Sequence, residues 1–294
     1  MTTVAFLVLA GVALYVLRWR HLRTLMALAA SRGTLGADGI LVGAEGFVLE
    51  RPGGPALLLL HGAGDTPQTL RYAARALFAR GYHVEVPLLP GHGRTPRDFA
   101  RIRAHDLADA AKSHYLRLTR EHAWVGVVGL SMGGALAVQL AADAPRMPAL
   151  ALLAPYLALP PYIERAARLS WLWGPVVPLV RSGDGMSVFD PEERERSLAY
   201  GVFTPAALRA LRETVRRAVK ALPCVSAPTL VLHSRADNRI NVNDAEAAFA
   251  RLGAEEKRLE WIEGAAHIIT VDYGRDTVFE IVADWMDSHH AVRS

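Results

Sequence analysis

Gly129-Leu130-Ser131-Met132-Gly133 places a serine between two glycines where an apolar, strand-like run ends and a helical pattern begins. The chemistry that placement suits is nucleophilic attack on an acyl carbonyl. Small residues two positions either side let strand and helix pass closely and present the hydroxyl at the end of the strand, and the helix N-terminus favours a developing negative charge. A serine hydroxyl is a weak nucleophile at neutral pH. It requires a base within hydrogen-bond reach and a third group that orients the base.

Position selects among the eleven histidines. Where a serine stands on a strand-to-helix turn, the acid and the histidine follow it on loops after later strands. His267, in Gly264-Ala265-Ala266-His267, comes just after the last strand-like run; His289 and His290, which also follow, lie in a polar tail. Asp237, in Ser234-Arg235-Ala236-Asp237-Asn238, is the first choice of acid, with Asp244 and Glu263 in reserve; a loop carboxylate also serves as a plain turn residue. The developing oxyanion needs donors. His61-Gly62-Ala63-Gly64 follows an apolar run at the place where one should originate, so the backbone N–H groups of Ala63 and Met132 are the expected pair. His61 reads as a structural hydrogen-bonder beneath that loop rather than a base. Gly91-His92-Gly93 reads equally as a tight loop beside the site or as a simple turn.

The elements that must position these residues alternate in βαβ fashion. Strand-like runs cover Phe47 to Glu50, Ala56 to Leu60, Tyr82 to Val86, Trp124 to Leu130, Ala149 to Leu153, Pro228 to His233 and Lys257 to Ile262. Several are continuously apolar, as strands buried on both faces are, which predicts a mostly parallel central sheet flanked by helices. Leu70, Ala73, Ala74, Leu77 and Phe78 repeat at helical spacing, as do Ala137, Leu140 and Ala141. From Pro155 to Ser226 no convincing strand occurs, only helical patterns around Ile163 to Trp173 and Ala206 to Ala221 separated by the polar stretch Arg181 to Arg196. An insertion that long predicts a helical cap over residues 155–226, dividing a core of residues 37–154 and 227–294. Trp171, Leu172 and Trp173 are the cap residues that could line an acyl pocket; their helical spacing fits ordinary cap packing as well.

With 51% apolar and 21% charged residues among 294, the chain has the profile of a folded protein with one large core or two modest ones, which excludes a disordered tail and a disulfide miniprotein. The single cysteine, Cys224, excludes an internal disulfide and a cysteine zinc cluster, and reads as a small core residue. No acidic residue precedes Asp38; without Arg18, Arg20, Arg23 and Arg32 the basic residues number 29, equal to the 29 acidic ones. A neutral body offers no phosphate-tracking surface, so no nucleic acid is expected as partner.

Met1 to Leu17 carries no charged side chain. At about 1.5 Å per residue such a helix spans roughly 26 Å, near the hydrocarbon thickness of a thin bilayer. Tyr15 and Trp19 stand where interfacial aromatics would, and three arginines follow. Residues 1–36 therefore read as a membrane-anchor helix with a basic flank, crossing once, with the catalytic body on the cytoplasmic side. Two other readings stay open. A cleaved signal peptide would want its positive charge before the apolar run, and a run of this length also suits a buried helix of the body.

Together, His-Gly-x-Gly at 61–64, Pro90-Gly91-His92-Gly93, Gly-Leu-Ser-Met-Gly-Gly at 129–134, the strand end at Asp237 and Gly-Ala-Ala-His at 264–267 resemble the α/β-hydrolase superfamily. Within it the chain is similar to bacterial carboxylesterases and monoacylglycerol-lipase-like enzymes, including proline-aminopeptidase-type serine hydrolases, over about residues 45 to 290. The resemblance implies an eight-stranded type of sheet with a helical cap, a Ser131, Asp237, His267 triad, and neither cofactor nor metal. The chain departs from the pattern in having room for only one strand before the oxyanion strand, and in its apolar N-terminal segment. A haloalkane dehalogenase, which the chain also resembles, would carry Asp where Ser131 stands. The expected activity is cleavage of carboxylic esters, lipid-like or with short to medium acyl chains, of monoacylglycerol type, through an acyl-serine. Amide or peptide cleavage, thioester cleavage and acyl transfer use the same triad, and a non-catalytic ligand-binding protein of the same fold is the reading from another class.

Overall fold

The computed structural model describes residues 2–182 and 186–291. In chain order the elements before the cap are α1 (Thr2–Ala30), β1 (Phe47–Leu49), β2 (Ala56–Leu60), α2 (Arg71–Ala79), β3 (His83–Val86), α3 (Pro96–Phe99), α4 (Ala104–Glu121), β4 (Val125–Leu130), α5 (Met132–Asp143) and β5 (Leu150–Leu153). Between β5 and β8, the stretch that the sequence reading takes as a cap and that keeps that label below, lie α6 (Pro161–Arg168), α7 (Ser170–Trp173), β6 (Val180–Arg181), α8 (Pro191–Glu195), β7 (Val202–Phe203) and α9 (Pro205–Ala221). The chain returns through β8 (Thr229–Ser234), α10 (Val242–Arg251), β9 (Lys257–Ile262) and α11 (Arg275–Ala291).

Seven strands form one sheet in the order β1-β3-β2-β4-β5-β8-β9, with β1 antiparallel to β3 and every other pair parallel. The central strands are buried on both faces because their side chains alternate between two cores. Leu58, Leu60, Val127 and Leu152 face α4, α5 and α9, where they meet Leu107, Leu136 and Leu211. Leu57, Leu59, Val128 and Leu153 face α2 and α11, where they meet Leu77, Val282 and Met286. Each strand-like run in the sequence is a strand here, displaced by a residue at most at either end.

The sheet has the seven strands that the sequence runs predicted, one fewer than the family pattern, because a single strand, β1, precedes β2 as the room before it allowed. Three sequence readings are corrected. Cap residues Val180–Arg181 and Val202–Phe203 pair as a short antiparallel ladder, too brief for an alternation pattern to reveal. Cys224 is exposed: it ends the turn Leu222–Cys224 after α9, where Leu222 takes the fully buried place. Finally, among the described residues no helix is long and apolar enough to cross a membrane. Arg18, Arg20 and Arg23 close the uncharged run of α1 short of the roughly twenty residues that a typical hydrocarbon core demands. The second half of α1 instead rests on the cap side of the protein, with Leu25 and Ala29 buried among Ile102, Leu179, Tyr200 and Ala210. Its first half leaves Phe6, Leu9, Val12 and Leu17 exposed.

Candidate active site

Ser131 stands at the carboxyl end of β4 with φ 55° and ψ −117°, a conformation that L-residues rarely adopt. The flanking glycines make it reachable. A Cβ on Gly129 would lie 2.5 Å from the Gly133 carbonyl oxygen, and one on Gly133 would lie 2.0 Å from that of Leu60, so strand and helix meet here with room for hydrogen alone. Ser131 N–H donates to Leu153 O at 2.9 Å, and Ser131 O accepts from Tyr156 N–H at 3.0 Å, which ties the turn to the neighbouring strand end.

The carboxyl ends of β8 and β9 bring two more groups to the hydroxyl. His267 Nε2 lies 2.8 Å from Ser131 Oγ, and His267 Nδ1 lies 2.8 Å from Asp237 Oδ2. Because a carboxylate only accepts, Nδ1 carries the proton and donates, which leaves Nε2 to receive the serine proton. Asp237 Oδ1 accepts the N–H groups of Arg239 and Ile240 at 2.7 and 3.1 Å. Burial alone would raise this carboxyl; electrostatic attraction to the His267 ring and hydrogen bonds from His233 and His267 outweigh burial and hold it well below the usual carboxylate range. All three residues selected from the sequence are therefore brought into one hydrogen-bonded series. The reserve acids are placed elsewhere, Asp244 in the first turn of α10 bonded to Asn241 and Glu263 against Arg235.

The loop after β2 lies directly over the serine, since a Cβ on Gly62 would stand 3.3 Å from Ser131 Cβ. Among the described residues no hydrogen bond engages the N–H of Ala63 or of Met132, the two donors expected for an oxyanion. His61 braces this loop: Nδ1–H donates to Gly62 O and Nε2 accepts from Leu89 N–H, each at 3.0 Å. Burial, then repulsion from His92, lowers its pKa well below the ordinary value, so it is a neutral support. His92 sits behind it, edge-on to both His61 and Phe99, and burial lowers its pKa to about 4.

The cap candidates are not joined to this series. Trp171 and Leu172 are exposed on α7, and Trp173 Nε1 donates to Ala166 O; among the described residues none of the three shares a hydrogen bond or ring contact with Ser131 or His267. Tyr156 does, its ring edge-on to the His267 imidazole at 5.9 Å. Sequence reasoning passed over Tyr156 and His233. The latter's Nε2 lies 3.1 Å from Asp237 Oδ2 and 3.2 Å from Ile240 O, so one N–H is shared between them. Its signal was available, four residues before Asp237 at the end of an apolar strand. The described residues contain no cluster of His, Cys, Asp and Glu that could hold a metal ion.

The family model for serine aminopeptidases of the S33 type matches residues 54–273, which takes in the serine, the acid and the histidine. The chain belongs to that family. The chain is 28% identical to a thermostable monoacylglycerol lipase of Bacillus sp. (strain H-257) over 85% of this chain and 97% of the relative. It is 27% identical to a carboxylesterase of Bacillus subtilis (strain 168) over 80% and 93% of the two chains. In solved structures a similar fold occurs in a chain described under LipS and LipT, two metagenome-derived lipolytic enzymes, with TM-score 0.77, 27% identity and coverage of 85% of this chain and all of the other. A Paleococcus ferrophilus monoacylglycerol lipase superposes with TM-score 0.71 at 21% identity, over 83% and 99%. The architecture is thus the α/β-hydrolase fold, and the family is one of serine hydrolases.

Proposed function

We propose that the protein hydrolyses carboxylic esters of lipid-like or short to medium acyl chains, monoacylglycerols among them, through an acyl-serine on Ser131. The observation that carries this reading is the unbroken series Ser131 Oγ, His267 Nε2, His267 Nδ1, Asp237 Oδ2, with 2.8 Å at each of its two hydrogen bonds, on a turn that strains the nucleophile into reach. Ser131 Oγ attacks the acyl carbon as its proton passes to His267 Nε2, and the N–H groups of Ala63 and Met132 receive the oxyanion. Collapse of the tetrahedral species expels the alcohol, which takes the proton from His267. A water molecule then gives its proton to the same nitrogen and attacks the acyl carbon; the second collapse returns the proton to Ser131 and frees the acid. Asp237 keeps the imidazole in the required tautomer and balances the imidazolium.

Amides, thioesters and acyl transfer to an alcohol are open to the same intermediate. The names of the relatives, a monoacylglycerol lipase and a carboxylesterase, favour esters. A lipid surface as the place of work is supported by the exposed side chains of Phe6, Leu9, Val12 and Leu17 on α1 and by Trp171 and Leu172 on α7. Arg18, Arg20 and Arg23, next to that apolar half, suit the anionic headgroups of a cytoplasmic leaflet.

Hydrolysis of p-nitrophenyl esters from acetate to palmitate, with Ser131→Ala as the blank, tests the reading. Turnover that needs Ser131 and peaks at a definite chain length supports it. A folded wild-type protein that leaves every ester untouched overturns it, and sedimentation with anionic against neutral vesicles tests the surface.

A further inference from the structure

Asp272 is a fully buried carboxylate whose role no step of the ester chemistry explains. Among the described residues its hydrogen bonds are to four backbone N–H groups from three stretches of chain. Oδ2 accepts from Ala266 at 2.7 Å and from Phe189 at 2.8 Å; Oδ1 accepts from Asp190 at 2.9 Å and from Tyr273 at 3.0 Å. Ala266 immediately precedes His267, whereas Phe189 and Asp190 belong to the cap. The residue after His267 is tied to the same cap segment, because Ile268 N–H donates to Ser187 O at 2.9 Å. Both chain neighbours of the imidazole-bearing residue are therefore fastened to the cap, one directly and the other through Asp272.

The acid loop is held by the same stretch of chain. Arg239 Nε donates to Ser187 Oγ at 2.8 Å, and the Arg239 N–H is one of the two that grip Asp237 Oδ1. Residues 187–190 thus lie between the loop of the acid and the loop of the histidine and are bonded to each. A buried carboxylate must be fully satisfied to be tolerated, and here four donors do so without a cation. A side-chain amide of the same shape could not replace it, since one of its two ends would point N–H groups at N–H groups.

We propose that Asp272 is a positioning residue for His267, and that through it the cap segment 187–190 sets the imidazole against Ser131, so that seating of the cap and alignment of the triad are coupled. The inference rests on the ester-hydrolase reading for its substrate and on the hydrogen bonds for its mechanism. Displacement of His267 by a fraction of an ångström lengthens the step to Ser131 Oγ, which slows acylation while leaving ground-state binding in place.

Asp272→Asn in the full-length protein, assayed on p-nitrophenyl butyrate and decanoate, is the test. The expected result is a kcat lower by about 100-fold with KM changed less than about threefold, a displaced acidic limb in the pH profile of kcat/KM, and slower labelling of Ser131 by a fluorophosphonate. A merely structural carboxylate would lower the melting temperature and leave kcat, the pH profile and the labelling rate where they were; that outcome overturns the proposal. Phe189→Pro removes one cap-side donor and leaves the carboxylate in place, so it decides the matter if Asp272→Asn does not fold: a wild-type kcat and labelling rate in Phe189→Pro also overturns the proposal. Should the wild type react with the fluorophosphonate but hydrolyse no ester, the substrate reading fails, and the ratio of labelling rates between wild type and variant still decides the role of Asp272.

Discussion

His233 and Asp237 meet inside the protein, His233 Nε2 at 3.1 Å from the same carboxylate oxygen that receives His267 Nδ1. Asp237 is therefore gripped by two imidazoles as well as by two backbone N–H groups. His233 is fully buried at the end of β8 and its ring meets Trp261 edge-on. Its substitution by leucine should remove a hydrogen bond to a buried charge, worth about 1.5–3 kcal/mol of stability, and loosen the acid that orients His267. The expected outcome is a kcat lower by roughly tenfold, with Ser131 still labelled by a fluorophosphonate, read together with a urea midpoint. An unchanged kcat would show that Asp237 is held by its backbone donors and His267 alone.

Ser131→Ala and His267→Ala should each reduce kcat by a factor on the order of a thousand or more, and the double variant should be little worse than either single one. Groups that act as one unit behave this way because the second loss removes nothing that still works. Additive losses in a steady-state assay would contradict the series of hydrogen bonds described above.

Gly133→Ala probes the turn itself. The added Cβ would stand 2.0 Å from the Leu60 carbonyl oxygen, and both atoms belong to backbone that is locked in strand and helix. Overpacking of this kind costs about 1–3 kcal/mol, occasionally more. Poor expression or a melting temperature several degrees lower is expected, with activity lost alongside; a stable and active Gly133→Ala protein would show that helix and strand can part at the turn.

The pH dependence of stability should carry the mark of Asp65. Burial pushes its carboxyl from 3.8 up to about 6, against the opposing hydrogen bonds of Thr66 and Thr69. The native state consequently holds this proton more tightly than the unfolded chain does. Stability from the group is complete below pH 3.8 and is lost as the pH rises through 6, an amount of about 3 kcal/mol. Asp65→Asn preserves the shape and can still accept from Thr66 N–H, so the variant should equal the wild type at pH 4 and exceed it at pH 7. Chemical denaturation of both proteins at the two pH values gives the comparison directly. Asp237 works in the opposite sense, its lowered pKa contributing stability above the unfolded value that is lost as the pH falls, and taking the difference between the two proteins cancels it.

Much of the frame was legible in residue order alone, because strand and helix periods are local properties. Leu57 to Leu60 are apolar at every position since two cores claim alternate side chains, and that is visible without any fold. The turn at Ser131 was legible for a similar reason: glycine at 129 and 133 records a contact between strand and helix that only hydrogen atoms permit. Chain order then pointed to Asp237 and His267, and the structure brings both to Ser131. The bilayer-spanning reading of α1 failed where it relied on length, with arginine reached after seventeen residues.

Sequence by itself determined the alternation of strands and helices, the strained serine turn and the residues able to complete an acyl-transfer series, since each rests on neighbours within a few positions. Tertiary structure decided the rest. That Cys224 faces solvent while Leu222 is buried follows from the direction in which one turn leaves α9. The sharing of Asp237 between two histidines, and the gathering of Ala266, Phe189 and Asp190 around Asp272, depend on segments up to 83 residues apart meeting at the ends of the sheet. A buried charge is satisfied by whichever donors the fold delivers, and backbone N–H groups leave no trace in residue identity.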